Sequence, residues 1–145
     1  MNATSFTNLD VWACAQWAEA SLGDRRRAAR AVRLGAALAA NPAASLPAQT
    51  QTWADLKAAY RLLNAPDVTP AALSTPPWTQ TRAVAAGPEP VLFIQDTTER
   101  DDTAHPPTRG LGPIGDGRGR GFALHRCLAV RPAEPTPAVL GLAYQ

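Results

Sequence analysis

Lysine is almost absent: of the 14 basic residues in this 145-residue chain, only Lys57 is not arginine. Cysteine is nearly as rare. Cys14 and Cys127 stand alone, without metal-binding spacing, and read as ordinary buried thiols of a reducing compartment rather than a disulfide framework. No run of 18 apolar residues offers a membrane span, and Met1-Asn2-Ala3-Thr4-Ser5 lacks the basic region and apolar core of an export signal. A soluble, cytoplasmic, unexported protein is expected. Large apolar side chains are scarce as well, because much of the 46% hydrophobic fraction is alanine. Fourteen Pro and 10 Gly interrupt the chain often, so modest stability, or dependence on sequence beyond Gln145, is expected. The length accommodates one domain, or a small domain joined to part of a second. No internal repeat is present.

What is there is clustered arginine. A net charge of +2 is too weak to imply nucleic acid by itself, but Arg25, Arg26, Arg27, Arg30 and Arg33 fall within nine positions. Arg109, Arg118, Arg120, Arg126 and Arg131 form a second, looser group, with only Asp116 and Glu134 as acids after Arg109. The guanidinium fork suits phosphates. On a helix, Arg26, Arg30 and Arg33 share one face at i, i+4 and i+7, with Arg27 beside it. Like charges so spaced repel unless a polyanion occupies the face, and phosphate contact then recovers the cost by counterion release. A solvated face, partly neutralised by Asp24 and Glu19, fits the same pattern. Lys57 and Arg61, four apart, extend such a surface. The polar stretch between the two candidate helices is too long for a tight helix-turn-helix. The four tryptophans read as core or interhelical packing.

The first 88 residues read as short, Ala-rich helices. Asp10 is a plausible cap for a helix over 11–21, with Val11, Trp12, Ala15 and Ala18 on its apolar face. Asp24 caps a second helix from Arg25 to about Ala40, stopped by Asn41-Pro42. Residues 42–51 read as a loop. Thr52-Trp53-Ala54-Asp55 resembles a capping box, and the helix behind it groups Trp53, Leu56, Ala59, Tyr60 and Leu63. A short helix from Pro70 through Leu73 and another over 77–86 complete the module. The alphabet then changes, with a boundary near 88–90. Residues 91–95, 122–130 and 139–144 read as strands, and 99–121 as a charged, Gly-rich loop. Three strands without a following helix leave one sheet face uncovered.

Asp96 ends the apolar run 91–95, and a buried strand would hold its carboxylate rigidly at a solvent edge. That suits a metal ligand or general base, but the pattern alone favours a turn-capping carboxylate bonded to the Thr97 or Thr98 amide. Strand-end carboxylates of nucleases and polynucleotidyl transferases bind divalent ions that activate a water or 3′ hydroxyl. Glu99, Asp101 and Asp102 are close in sequence, but proximity alone assigns them nothing. The stretch 110–121 lacks the Gly-Lys-Ser/Thr ending of a nucleotide loop and reads as a mobile basic loop. His125 suits a structural or DNA-side hydrogen bond, and His105 carries no site signal.

Four segments together resemble the N-terminal part of bacterial cut-and-paste transposases of the insertion-sequence-four, Tn-five-like group. LGDRRRAAR (22–30) is similar to its Leu-Gly-Asp-x-Arg-Arg-x-x-Arg signature. KAAYRLLN (57–64) resembles the second signature of its DNA-binding domain, IQDTT (94–98) the strand bearing its first catalytic Asp, and LGPIGDGRGRGFALH (111–125) the glycine-rich stretch and second strand. The resemblance implies an α+β chain. Residues 1–88 would be an all-helical transposon-end DNA-binding domain, and 89–145 the first three strands of an incomplete ribonuclease-H-like catalytic domain. It further implies that Arg26, Arg27 and Arg30 contact transposon-end duplex DNA and that Lys57 and Arg61 belong to the second DNA-binding segment. Asp96 would be the first acid of a DDE triad and a Mg²⁺ ligand. The family's second Asp and its Glu come well downstream, and neither is assignable to Glu99, Asp101 or Asp116. Mg²⁺ is therefore expected only with acids from outside these residues. The expectation is a transposase fragment that binds terminal inverted repeats without cleaving alone, in a bacterial, nucleoid-associated setting. A homodimer or a full-length transposase is the implied protein partner. A small DNA-binding regulator that inhibits such a transposase is the alternative.

Overall fold

The computed structural model describes residues 8–104 and 108–145, so His105 lies outside the described residues. The chain groups into two compact units that divide between Gln80 and Thr81. Helices fill the first, and an antiparallel sheet dominates the second, an α+β composition. No helix among the described residues is long and apolar enough to cross a membrane.

α1 runs Leu9–Trp17, and its cap is Asn8, whose side chain accepts from the amides of Asp10 and Val11 at 3.0 and 3.1 Å. The expected cap, Asp10, is instead in the first turn. The packed face is Leu9, Trp12, Ala13, Gln16 and Trp17, and Val11, Ala15 and Ala18 are exposed. Gln16, polar yet half-buried, disguised that stripe. Cys14 is exposed, against expectation, whereas Cys127 is buried; both are free.

α2 (Arg25–Ala40) has the expected bounds, with Asp24 Oδ1 accepting from the Arg26 amide at 2.7 Å. It buries Ala28, Ala31, Gly35 and Ala36. A short α3 (Leu46–Gln49) occupies part of the stretch expected to be a loop. In α4 (Trp53–Leu63) the Thr52 hydroxyl accepts from the Asp55 amide at 3.1 Å and donates to Asp55 Oδ2 at 2.6 Å. The buried face is Leu56, Ala59 and Leu62, so Trp53, Tyr60 and Leu63 do not join the core. Ala20, Leu22, Ala31, Leu62 and Val68 form that core, with Trp17, Leu34 and Leu73 against it.

α5 runs unbroken from Pro70 to Ala85 through Pro76 and Pro77, where two separate helices were expected. Each proline removes an intrahelical donor. Pro77 would otherwise bond the Leu73 carbonyl, and that carbonyl accepts instead from Trp17 Nε1 at 2.8 Å. Trp17 thereby satisfies the group the proline orphans. Its ring meets Trp12 edge-on at 5.5 Å between centroids. Gln80 also reaches α1, donating to the Ala15 carbonyl and accepting from Gln16 at 2.8 Å.

The sheet has four strands, not three: β1 (Leu92–Asp101), β2 (Gly112–Ile114), β3 (Gly119–Arg131) and β4 (Ala138–Tyr144). β3 pairs antiparallel with all the others, from Leu92↔Val130 to Asp101↔Gly121 along β1. The glycine-rich stretch is mostly structured: β2 and β3 form a hairpin whose turn uses positive φ at Gly115 and Gly117. Gly121 is needed as glycine, since a Cβ there would strike the Arg100 carbonyl oxygen across the ladder. Cys127, Ala129, Val130 and Ala143 are buried, but every residue of β1 is exposed.

Candidate nucleic-acid interface

The turn between α1 and α2 divides the arginine cluster into two kinds of residue. Leu22 is buried in the core, and Gly23 adopts φ +79°. A side chain at Gly23 would stand 2.6 Å from Asp67 Oδ2, so the left-handed turn and the close approach both require glycine. Over it, Arg27 Nη1 donates to the Leu22 carbonyl at 3.0 Å and to Asp67 Oδ2 at 2.5 Å. Arg27 thus ties the start of α2 to the loop after α4. Nothing in the sequence marks Asp67 as its partner, because the two lie 40 positions apart.

Arg26, Arg30 and Arg33 do something different. They point away from the Ala28–Ala31–Gly35 stripe, are exposed, and make no ion pair among the described residues. Arg30 and Arg33 rim a cleft of about 570 Å³ walled by Ala36, Ala37, Ala58 and Ala59, with Asp10 and Asp55 among its polar lining. Lys57 and Arg61 are exposed on α4, on the side away from its buried face. Three outward guanidinium groups on one helix face make a phosphate-sized array of donors that no carboxylate among the described residues pairs with.

On the sheet, Asp96 stands at the middle of β1, not at a strand end, because the polar residues 97–101 continue pairing with β3. It caps no turn. Asp96 Oδ2 accepts from the Thr98 hydroxyl at 3.0 Å, and Thr98 Oγ1 in turn accepts from Arg126 Nη2 at 3.5 Å. Arg126 is also its cross-strand partner. Glu99 points to the opposite face, accepting from the Gly115 amide at 3.3 Å, and Asp101 accepts from the Thr103 amide at 2.8 Å. The Thr103 hydroxyl and amide hold the Asp101 carboxyl below its ordinary range. Among the described residues no three His, Cys, Asp or Glu side chains gather into a metal-binding group. His125 is structural in its contacts, with Nδ1 2.7 Å from Thr97 Oγ1 and Nε2 3.4 Å from the Tyr144 hydroxyl.

The exposed arginine face and the core that presents it lie within one continuous stretch, and that stretch has relatives. Residues 10–68 match the transposase DNA-binding family model. The match takes in the buried cluster of Ala20, Leu22, Ala31, Leu62 and Val68, together with Arg26, Arg30, Arg33, Lys57 and Arg61. It supports transposase-related DNA binding by the helical unit. No curated protein matches the chain.

Proposed function

We propose that the chain binds transposon-end DNA, at terminal inverted repeats, as the amino-terminal part of an insertion-sequence-four group transposase. The observation that carries this reading is the outward, unpaired face of Arg26, Arg30 and Arg33 inside the matched stretch 10–68. Arg30 and Arg33 sit beside a cleft, and Lys57 and Arg61 add charge from α4. Arg27 contributes by holding the turn that orients α2, since its guanidinium is engaged by Asp67 and Leu22. Duplex binding tests the reading. Fluorescence anisotropy should show the full chain binding a labelled duplex and an Arg26→Ala/Arg30→Ala/Arg33→Ala variant losing most of that affinity. Equal affinity in both would remove it.

The sheet unit is then the start of a ribonuclease-H-like catalytic domain, with Asp96 as the first acid of its triad. An exposed carboxylate fixed by a paired strand supports that role. The described residues supply one carboxylate there, which is a single Mg²⁺ ligand and not by itself a magnesium site. The arginine face of α2 serves equally a second reading, a DNA-binding regulator that pairs with a second copy or a full-length transposase. Mg²⁺-dependent nicking of end duplex that disappears in Asp96→Asn would decide for the enzyme and against the regulator.

A further inference from the structure

α4 turns two aromatic rings into solvent. Trp53 is 74% exposed and Tyr60 46%, although the chain has few large apolar side chains to spend. They stand at i and i+7, with Lys57 at i+4 and Arg61 at i+8, so all four occupy one side of the helix. Leu56, Ala59 and Leu62 take the other side into the core. The one carboxylate of α4, Asp55, is turned to the cleft and engaged by the Thr52 hydroxyl at 2.6 Å. The outward face therefore carries two cations, two rings and no acid.

That combination selects among partners. An apolar protein surface would cover the rings but leave Lys57 and Arg61 desolvated without a counter-charge. A nucleic acid meets both demands, offering phosphates to the cations and sugar and base surface to the rings. We propose that Trp53 and Tyr60 are DNA-contact residues. Lys57 and Arg61 engage backbone phosphates of a duplex, and the two rings lie against the sugars and base edges between them. This rests on the DNA-binding reading above and extends it from α2 to a second helix, through residues that carry no charge.

The rings and the cations leave different signatures. A cation that neutralises a phosphate contributes to the salt dependence of binding, whereas a stacked ring does not. With the full chain and a fluorescein-labelled duplex of mixed sequence, Trp53→Ala and Tyr60→Ala should each weaken binding roughly five- to tenfold while leaving the salt slope unchanged. Lys57→Ala should lower that slope by about 1. Trp53→Phe keeps a ring and should keep the affinity, but should lose the part of the DNA-induced tryptophan quenching that Trp53 supplies. Wild-type affinity in the Trp53→Ala/Tyr60→Ala variant, with binding still lost in the α2 arginine variant, would overturn this inference and leave the DNA-binding reading standing. Conversion of a self-associated chain to a monomer by the ring variant, with DNA affinity unchanged, would also overturn it and assign the face to a second copy. Absence of duplex binding by the unsubstituted chain would overturn both.

Discussion

Gly35→Ala should destabilise the helical unit, although it places the best helix former where the poorest but proline now sits. The structure shows why. A Cβ on Gly35 would stand 2.8 Å from Trp17 Cε3 and closer still to Cζ3, well inside the ~3.5 Å of an ordinary carbon contact. The indole cannot retreat freely, because its Nε1 is the donor that satisfies the Leu73 carbonyl at 2.8 Å, and the Trp12 ring packs against it. Overpacking of this kind costs about 1–3 kcal/mol, and weakening the Nε1 bond adds ~1 kcal/mol. The gain in helix propensity offsets about 1 kcal/mol. A net loss of roughly 1–3 kcal/mol follows from those three terms. All four tryptophans precede Thr81, so tryptophan emission in a urea titration reports the helical unit selectively. A second variant sharpens the test: Trp17→Leu removes the obstructing ring, so Gly35→Ala should cost at least ~1 kcal/mol less in that background. A neutral or stabilising Gly35→Ala, or costs that simply add, would show that Trp17 does not oppose a side chain at this position.

Three further outcomes are expected. Gly141 has φ +139° and a Cβ there would lie 2.5 Å from Thr81 Oγ1, so Gly141→Ala should destabilise the sheet unit by about 1 kcal/mol or more, read from hydrogen exchange of β3 and β4 amides. Arg27→Ala should lower the urea midpoint of the helical unit, modestly because Asp67 is 60% exposed, whereas Arg26→Ala should leave that midpoint unchanged and weaken DNA binding. Asp96→Asn should change the melt of the sheet unit by less than ~0.5 kcal/mol, since the side chain is exposed and its hydrogen bond is with the equally exposed Thr98 hydroxyl.

The parts of the fold legible in the sequence are those with local causes. α2 begins and ends where Asp24 and Asn41-Pro42 say it should, and Thr52 opens α4, because caps and prolines act within a few residues. The misreadings come from partners distant in the chain. α5 survives two prolines because Trp17 donates to the carbonyl that Pro77 orphans, a contact 56 positions away. β1 extends through Thr97–Asp101, a polar run with no apolar alternation, because β3 supplies its ladder partners. At the candidate interface, the i, i+4, i+7 spacing of Arg26, Arg30 and Arg33 was enough to place them together. Spacing does not set Arg27 apart from them; its contacts with Asp67 and the Leu22 carbonyl do. On α4 the apolar residues admit two overlapping stripes, and only packing against the core chooses Leu56–Ala59–Leu62 and leaves Trp53 and Tyr60 outside.

On the proposed function, the outward arginine face of α2 binds DNA by neutralising phosphates. The most direct measurement is the slope of log K against log salt for duplex binding, between about 50 and 200 mM, in the unsubstituted chain and in Arg26→Ala/Arg30→Ala. Each phosphate contact contributes roughly 0.9 to that slope, so the double variant should bind more weakly with a slope smaller by about 2. An unchanged slope and affinity, with the helical unit still folded, would contradict the account.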